Sequence, residues 1–173
     1  MLQMRFVPQM TLPLRSTGDD MRRSEREIKD LEGIEGIIRK ALVCRLGLAA
    51  DNRPYVVPLC FGYRDHTLYV HSAPEGRKVE IVRENPHVCV EFDVDQELLP
   101  GREPCSWGMR YRSAIAFGKA SVVEDPAEKR RALDLIMEHY GGGAPSGYPE
   151  GLVEKILIIK IELEQMTGKQ ANY

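Results

Sequence analysis

The sequence has no apolar run approaching the roughly 20 residues that a membrane-crossing helix needs. The first twenty residues come nearest, but Arg5, Pro8, Pro13 and Arg15 interrupt them, and no secretory core of about 7–15 apolar residues survives. Neither export nor a membrane anchor is expected, and residues 1–20 read as an arm outside the core. Met21 stands as an alternative start, ahead of the charged stretch Arg22-Arg23-Ser24-Glu25-Arg26-Glu27. Excess positive charge is also missing: 24 Lys and Arg face 26 Asp and Glu, for a formal charge of −2. Nucleic acid is therefore set aside as a partner. The cysteines Cys44, Cys60, Cys89 and Cys105 contain no C-x-x-C pair. His87-Val88-Cys89 has no second pair at finger-like spacing, so the four read as reduced, buried thiols of a cytoplasmic protein, with no metal site. The glycines from Gly141 to Gly147 follow a helix-like stretch rather than a strand and lack a following lysine, so they form no phosphate loop. No Rossmann glycine fingerprint is present.

What is present is an alternation of strand-like and helix-like stretches in a chain of 173 residues, long enough for one domain spanning 21–173. Asp30 heads a predicted helix in which Leu31, Ile34, Ile37, Ile38 and Ala41 share one face, despite Gly33 and Gly36. Runs of β-branched and aromatic residues at Leu42–Leu48, Tyr55–Tyr63 and Thr67–Ser72 predict an antiparallel meander. A short helix is expected from about Pro74 to Glu84, capped by Ser72 and stopped by Asn85-Pro86. Further strands are expected at Val88–Val94, at Met109–Val123 as the longest, and at Lys155–Leu163, with a polar loop from Asp95 to Ser106. Asp125-Pro126-Ala127-Glu128 supplies a cap, a first-turn proline and a capping-box glutamate for another helix. Its buried stripe should be Leu133, Ile136, Met137 and Tyr140, and Gly141-Gly142-Gly143 should stop it. These elements add up to an α+β, antiparallel six-stranded barrel with flanking helices and no internal repeat.

Chemistry is concentrated in Ser72-Ala73-Pro74-Glu75-Gly76-Arg77-Lys78, where a hydroxyl, a helix start, a bare glycine and two adjacent cations fall together. A phosphate asks for such a set, although an Arg-Lys pair alone is more often a solvated helix face. His71 sits two residues after Tyr69 on one strand face. Taken alone, a strand histidine is more often structural or exposed than catalytic.

The stretch from Tyr69 to Lys78, ending in Arg83-Glu84-Asn85-Pro86, resembles the phosphate-binding strand-to-helix turn of the pyridoxamine 5'-phosphate oxidase-like split-barrel flavoproteins. The resemblance extends to their nitroimidazole-resistance (Nim-type) branch through Cys44-Arg45-Leu46-Gly47-Leu48, Pro54-Tyr55-Val56-Val57-Pro58-Leu59, Cys105-Ser106-Trp107-Gly108-Met109-Arg110-Tyr111-Arg112-Ser113 and Met166-Thr167-Gly168-Lys169. It implies a split β-barrel that binds FMN between two subunits of a homodimer. Arg77 and Lys78 would hold the phosphate with help from Ser72, and backbone around Val57, Pro58 and Leu59 would border the flavin ring. Trp107, Arg110 and Tyr111 would complete the site from the second subunit, and His71 would face the flavin and substrate as a proton donor or base. Trp107 is read equally well as a core or interface anchor. The implied activity is electron transfer from a transiently bound NAD(P)H to a small electron-poor acceptor such as a nitroaromatic. A flavin-binding module without turnover, or a haem or deazaflavin binder on the same barrel, are the alternatives. The stretch Thr167–Tyr173 lacks the Arg- and His-bearing segment that grips pyridoxal phosphate in the oxidase, so that activity is not expected.

Overall fold

The computed structural model describes residues 23–143, 147–149 and 151–173. The arm expected over 1–20 and the Met21 start lie outside them. Eight strands form one antiparallel sheet: β1 Glu27–Ile28, β2 Cys44–Ala50, β3 Arg53–Leu59, β4 Gly62–Arg64, β5 Thr67–Ser72, β6 His87–Leu99, β7 Gly108–Val123 and β8 Leu157–Ala171. Their order is β3-β2-β6-β7-β8-β5-β4, with β1 added beside the end of β8, and the outer strands β3 and β4 do not pair to close it. Among the described residues four helices flank the sheet: α1 Leu31–Lys40, α2 Arg77–Glu84, α3 Pro126–His139 and α4 Leu152–Lys155.

The fold is thus the expected α+β split barrel, with two strands beyond the six expected. β1 has two residues and β4 three. β4 arises because the run Tyr55–Tyr63 breaks at Cys60-Phe61, where the chain turns a corner and drives Phe61 into the core. β6 and β8 extend well past their apolar stretches, to Leu99 and Ala171. A bulge between Val94 and Glu97, with Asp95 at φ 60°, carries β6 into what composition marks as loop. Long ladders on both sides of β7, itself the longest strand, satisfy the backbone there whatever the side chains are.

Most core residues form one cluster inside the barrel. Leu46, Phe61, Leu68, Val70, Val90, Phe92, Ile159 and Ile161 are fully buried, and α1 closes over them with Ile34, Ile37 and Ile38, α2 with Val79 and Val82. Asp30 caps α1 by accepting the Gly33 N–H at 2.6 Å, whereas Leu31 faces out. A second cluster of Val123, Ala132, Leu133, Val153 and Ile158 lies under α3. Asp125 accepts the N–H groups of Ala127 and Glu128, but the Glu128 carboxylate does not return to close a capping box; it accepts the Tyr69 hydroxyl at 3.2 Å. The buried stripe of α3 is Ala132, Leu133, Leu135 and Ile136, leaving Met137 and Tyr140 outside it. Tyr140 has other work: its hydroxyl accepts the Phe61 N–H at 3.1 Å and donates to the Leu42 carbonyl at 2.8 Å.

Only part of the cysteine expectation holds. Cys44 is buried, and burial pushes its thiol up to about 12. Cys89 is half-buried, while Cys60, at the β3–β4 corner, and Cys105, in the 3₁₀ turn Pro104–Ser106, are exposed. Among the described residues no helix is long and apolar enough to cross a membrane.

Candidate functional site

β5 leads into α2 through a bend at residues 73–76. The helix begins at Arg77 rather than Pro74, and its cap is Gly76, not Ser72. Proline biases the residue before it toward extended backbone, and Gly76 sits at φ 118°, a conformation L side chains rarely adopt, with open space where a Cβ would stand. The helix can start only beyond that kink. Ser72 is left as the buried last residue of β5, paired with Leu157 of β8.

The Gly76 carbonyl accepts from Val79 N–H at 2.9 Å and Glu80 N–H at 3.2 Å, which leaves the Arg77 and Lys78 N–H groups free at the helix head. The Arg77 guanidinium lies over the Tyr55 ring at 5.2 Å. Lys78 is half-buried, and burial holds its ammonium below the usual lysine range, with the neighbouring Cys44 pulling slightly the other way. Among the described residues no carboxylate pairs with either cation. Two cations, two free N–H groups and an open glycine therefore converge at one helix head without an anion, a donor set that fits a phosphate dianion. Tyr55, the support under Arg77, escapes a reading by motif. Its position two residues before Val57, on the same strand face, is the signal that would have found it.

β3, at the edge of the sheet, turns Tyr55, Val57 and Leu59 toward the core and Val56 and Pro58 outward. Val57, Pro58 and Leu59 thus share a free backbone edge rather than one side-chain surface. His71 is exposed, and strand alternation points it away from the side that Ser72 faces. On the His71 side, Tyr69 donates to Glu128, and the Lys160 ammonium stands 3.8 Å from the same carboxylate oxygen. Burial, then the Glu128 charge, raises the Tyr69 hydroxyl above its usual range. This polar network beside His71 was not apparent from motifs, because Glu128 reads as a capping residue.

Trp107, Arg110 and Tyr111 lie apart. Arg110 pairs with Glu97 at 2.6 Å and donates to the Asn172 carbonyl at 3.1 Å. Trp107 and Tyr111 line a cleft of about 610 Å³ with Leu99, Met109 and Asn172. Among the described residues no hydrogen bond, ion pair or ring contact joins these three to Arg77, Lys78 or β3.

The family model described as pyridoxamine 5'-phosphate oxidase matches residues 30–170. A crystal structure of a Bacteroides thetaiotaomicron protein, provisionally named a 5-nitroimidazole antibiotic resistance protein, is 41% identical. It covers 83% of this chain and 86% of its own with a TM-score of 0.74. A FAD-binding protein of Mesorhizobium loti is 27% identical over 85% of this chain and 98% of its own, with a TM-score of 0.64. A Rhizobium meliloti protein of uncharacterised role is 32% identical over 151 residues, 81% of this chain and 91% of that one.

Proposed function

The chain belongs to the pyridoxamine 5'-phosphate oxidase family, and from that premise we propose that it is an FMN-dependent oxidoreductase that reduces a small electron-poor acceptor of the nitroaromatic class. The observation that carries the reading is the pair of cations at the head of α2, without a carboxylate partner among the described residues. Keeping Lys78 half-buried without an anion costs free energy that a bound phosphate would offset, and Arg77 is already held in place on Tyr55. The likeness to a protein named for nitroimidazole resistance and to one named for FAD binding supports both the acceptor class and a flavin.

Bound there, FMN would take electrons from NADPH or NADH and pass them to the acceptor. The residues of this chain do the rest. Arg77, Lys78 and the helix-head N–H groups grip the phosphate, and the free edge of β3 at Val57, Pro58 and Leu59 lies beside the ring. His71, exposed at the end of β5, donates a proton to the reduced acceptor, since nitro reduction consumes protons as well as electrons. In this reading Trp107, Arg110 and Tyr111, which among the described residues make no polar contact with the cations of their own chain, complete the site from a second copy, and the working form is a homodimer.

The test is spectroscopic. Under anaerobic conditions NADPH or NADH should bleach the visible absorbance of the bound flavin, and a nitroaromatic should restore it. A flavin that no reduced nicotinamide bleaches would show a binding module instead, and absence of any flavin spectrum after loading with FMN would remove the reading altogether.

A further inference from the structure

Ser24–Arg26 form a 3₁₀ turn, closed by the Arg26 N–H donating to the Arg23 carbonyl at 3.0 Å. Arg23 caps this turn and Arg26 ends it. Both line the cleft of about 610 Å³ that Trp107, Met109 and Tyr111 also line. Among the described residues no carboxylate lines it. Four other clefts on the described surface, of about 330 to 530 Å³, each mix Asp or Glu with their cations. Glu25 reaches Arg26 only at 3.8 Å and is itself largely exposed, a contact of little strength.

Two large apolar side chains in the same cleft are open to solvent, Trp107 at 52% and Met109 at 43%. An exposed indole beside a phenol and two guanidinium groups suits a ligand that is flat and aromatic at one end and phosphorylated at the other. The volume falls within the range of about 300–1,000 Å³ usual for small-molecule sites. We propose that this cleft receives the adenine nucleotide end of the nicotinamide donor, with the purine against Trp107 and the phosphates on Arg23 and Arg26. The inference rests on the flavin-reductase reading, in which Trp107 and Tyr111 approach the flavin of the second subunit and so bring the cleft beside it. It also answers how a chain without a Rossmann fingerprint holds its donor: through a shallow cationic and aromatic cleft that binds and releases quickly.

The experiment uses the flavin-loaded protein and ADP as a redox-inert probe. Calorimetry reads binding, and Trp107, the one tryptophan of the chain, reports locally through its emission. ADP should bind and change that emission, with adenosine and inorganic pyrophosphate each at least about tenfold weaker. Arg23→Ala with Arg26→Ala should weaken ADP by about tenfold or more and raise the NADPH or NADH concentration needed for half-bleaching, while flavin absorbance is retained. Trp107→Phe separates the readouts: the emission signal goes and the heat of ADP binding persists. Absence of ADP binding, ADP binding untouched by the arginine changes, or pyrophosphate binding as well as ADP would each overturn the proposal. Those results leave the functional reading standing if the flavin is still bleached by a reduced nicotinamide. If no donor bleaches it, the functional reading fails, whatever ADP does.

Discussion

Arg77 and Lys78 are adjacent in sequence but differ in environment, and that difference sets what each is worth. A charge-assisted hydrogen bond to phosphate contributes about 1.5–3 kcal/mol. Lys78, half-buried, should sit at the upper end and Arg77, exposed on Tyr55, at the lower end, where solvent screens it. Changing both to Ala should weaken FMN by several kcal/mol, measured by fluorescence titration of the apoprotein. Riboflavin, which has the ring without the phosphate, should lose almost nothing. Arg130→Ala with Lys155→Ala removes the same charge from exposed positions away from α2 and should leave both ligands alone. Equal loss of FMN and riboflavin would show that helix α2, not phosphate recognition, had been damaged. His71 poses the complementary case. It is exposed and its side chain has no hydrogen bond among the described residues, so His71→Ala should leave the unfolding midpoint and flavin content unchanged. Turnover should fall, since a positioned proton donor contributes about 100- to 10,000-fold, and an unaltered rate would return His71 to an ordinary surface residue.

Elements are tied together by polar contacts that periodicity does not foretell. Glu35, on the solvent edge of α1, accepts the Tyr63 hydroxyl of β4 at 2.6 Å and the Arg39 guanidinium at 2.6 Å, and His66 of the β4–β5 turn lies 3.3 Å away. Its side chain is only 15% exposed. The Tyr63 hydrogen bond above all, aided by Arg39 and then His66 and opposed by burial, holds the carboxyl below its ordinary value of 4.5. A depressed carboxylate contributes stability above its unfolded value and loses that contribution as pH falls through the folded value. Glu35→Gln should therefore cost about 1–2 kcal/mol near neutral pH, and parent and variant should converge as pH drops below 4.5. Urea midpoints measured at both pH values check this, and a gap that persists in acid would assign the effect to packing rather than charge. The same contrast explains α3. Its cap at Asp125 was legible in sequence, but its docking against β4 depends on Gly62, where a Cβ would stand 2.6 Å from the Ile136 nitrogen. Nothing in the local sequence marks that approach.

At the scale of the molecule, the long strands leave apolar side chains in water. Val56 on β3, at 59% exposure, and Ile115 on β7 stand open to solvent, with Leu98, Trp107 and Met109 nearer the turn between β6 and β7. In the proposed homodimer a second copy would cover such side chains and bring its own Trp107 cleft to the Arg77 and Lys78 cations. Light scattering of the flavin-loaded protein should give twice the 19.6 kDa chain mass. A monomeric mass with flavin still bound would show that one chain builds the site unaided.

The sequence by itself determined the fold class, the caps of α1 and α3, and the clustering of two cations after Gly76, because each is a local matter of period, cap chemistry and adjacency. Where β6 and β8 end was not local: their polar residues stay in strands because neighbouring ladders hold the backbone, a term no single stretch reveals. Tertiary structure also decided which cysteines are reachable, that Glu128 serves Tyr69 rather than its own helix, and that Ser72 and His71 face opposite ways. It alone brought Arg23 and Arg26 to Trp107, across about eighty residues of chain, since the 3₁₀ turn packs on β8 beside the loop ahead of β7.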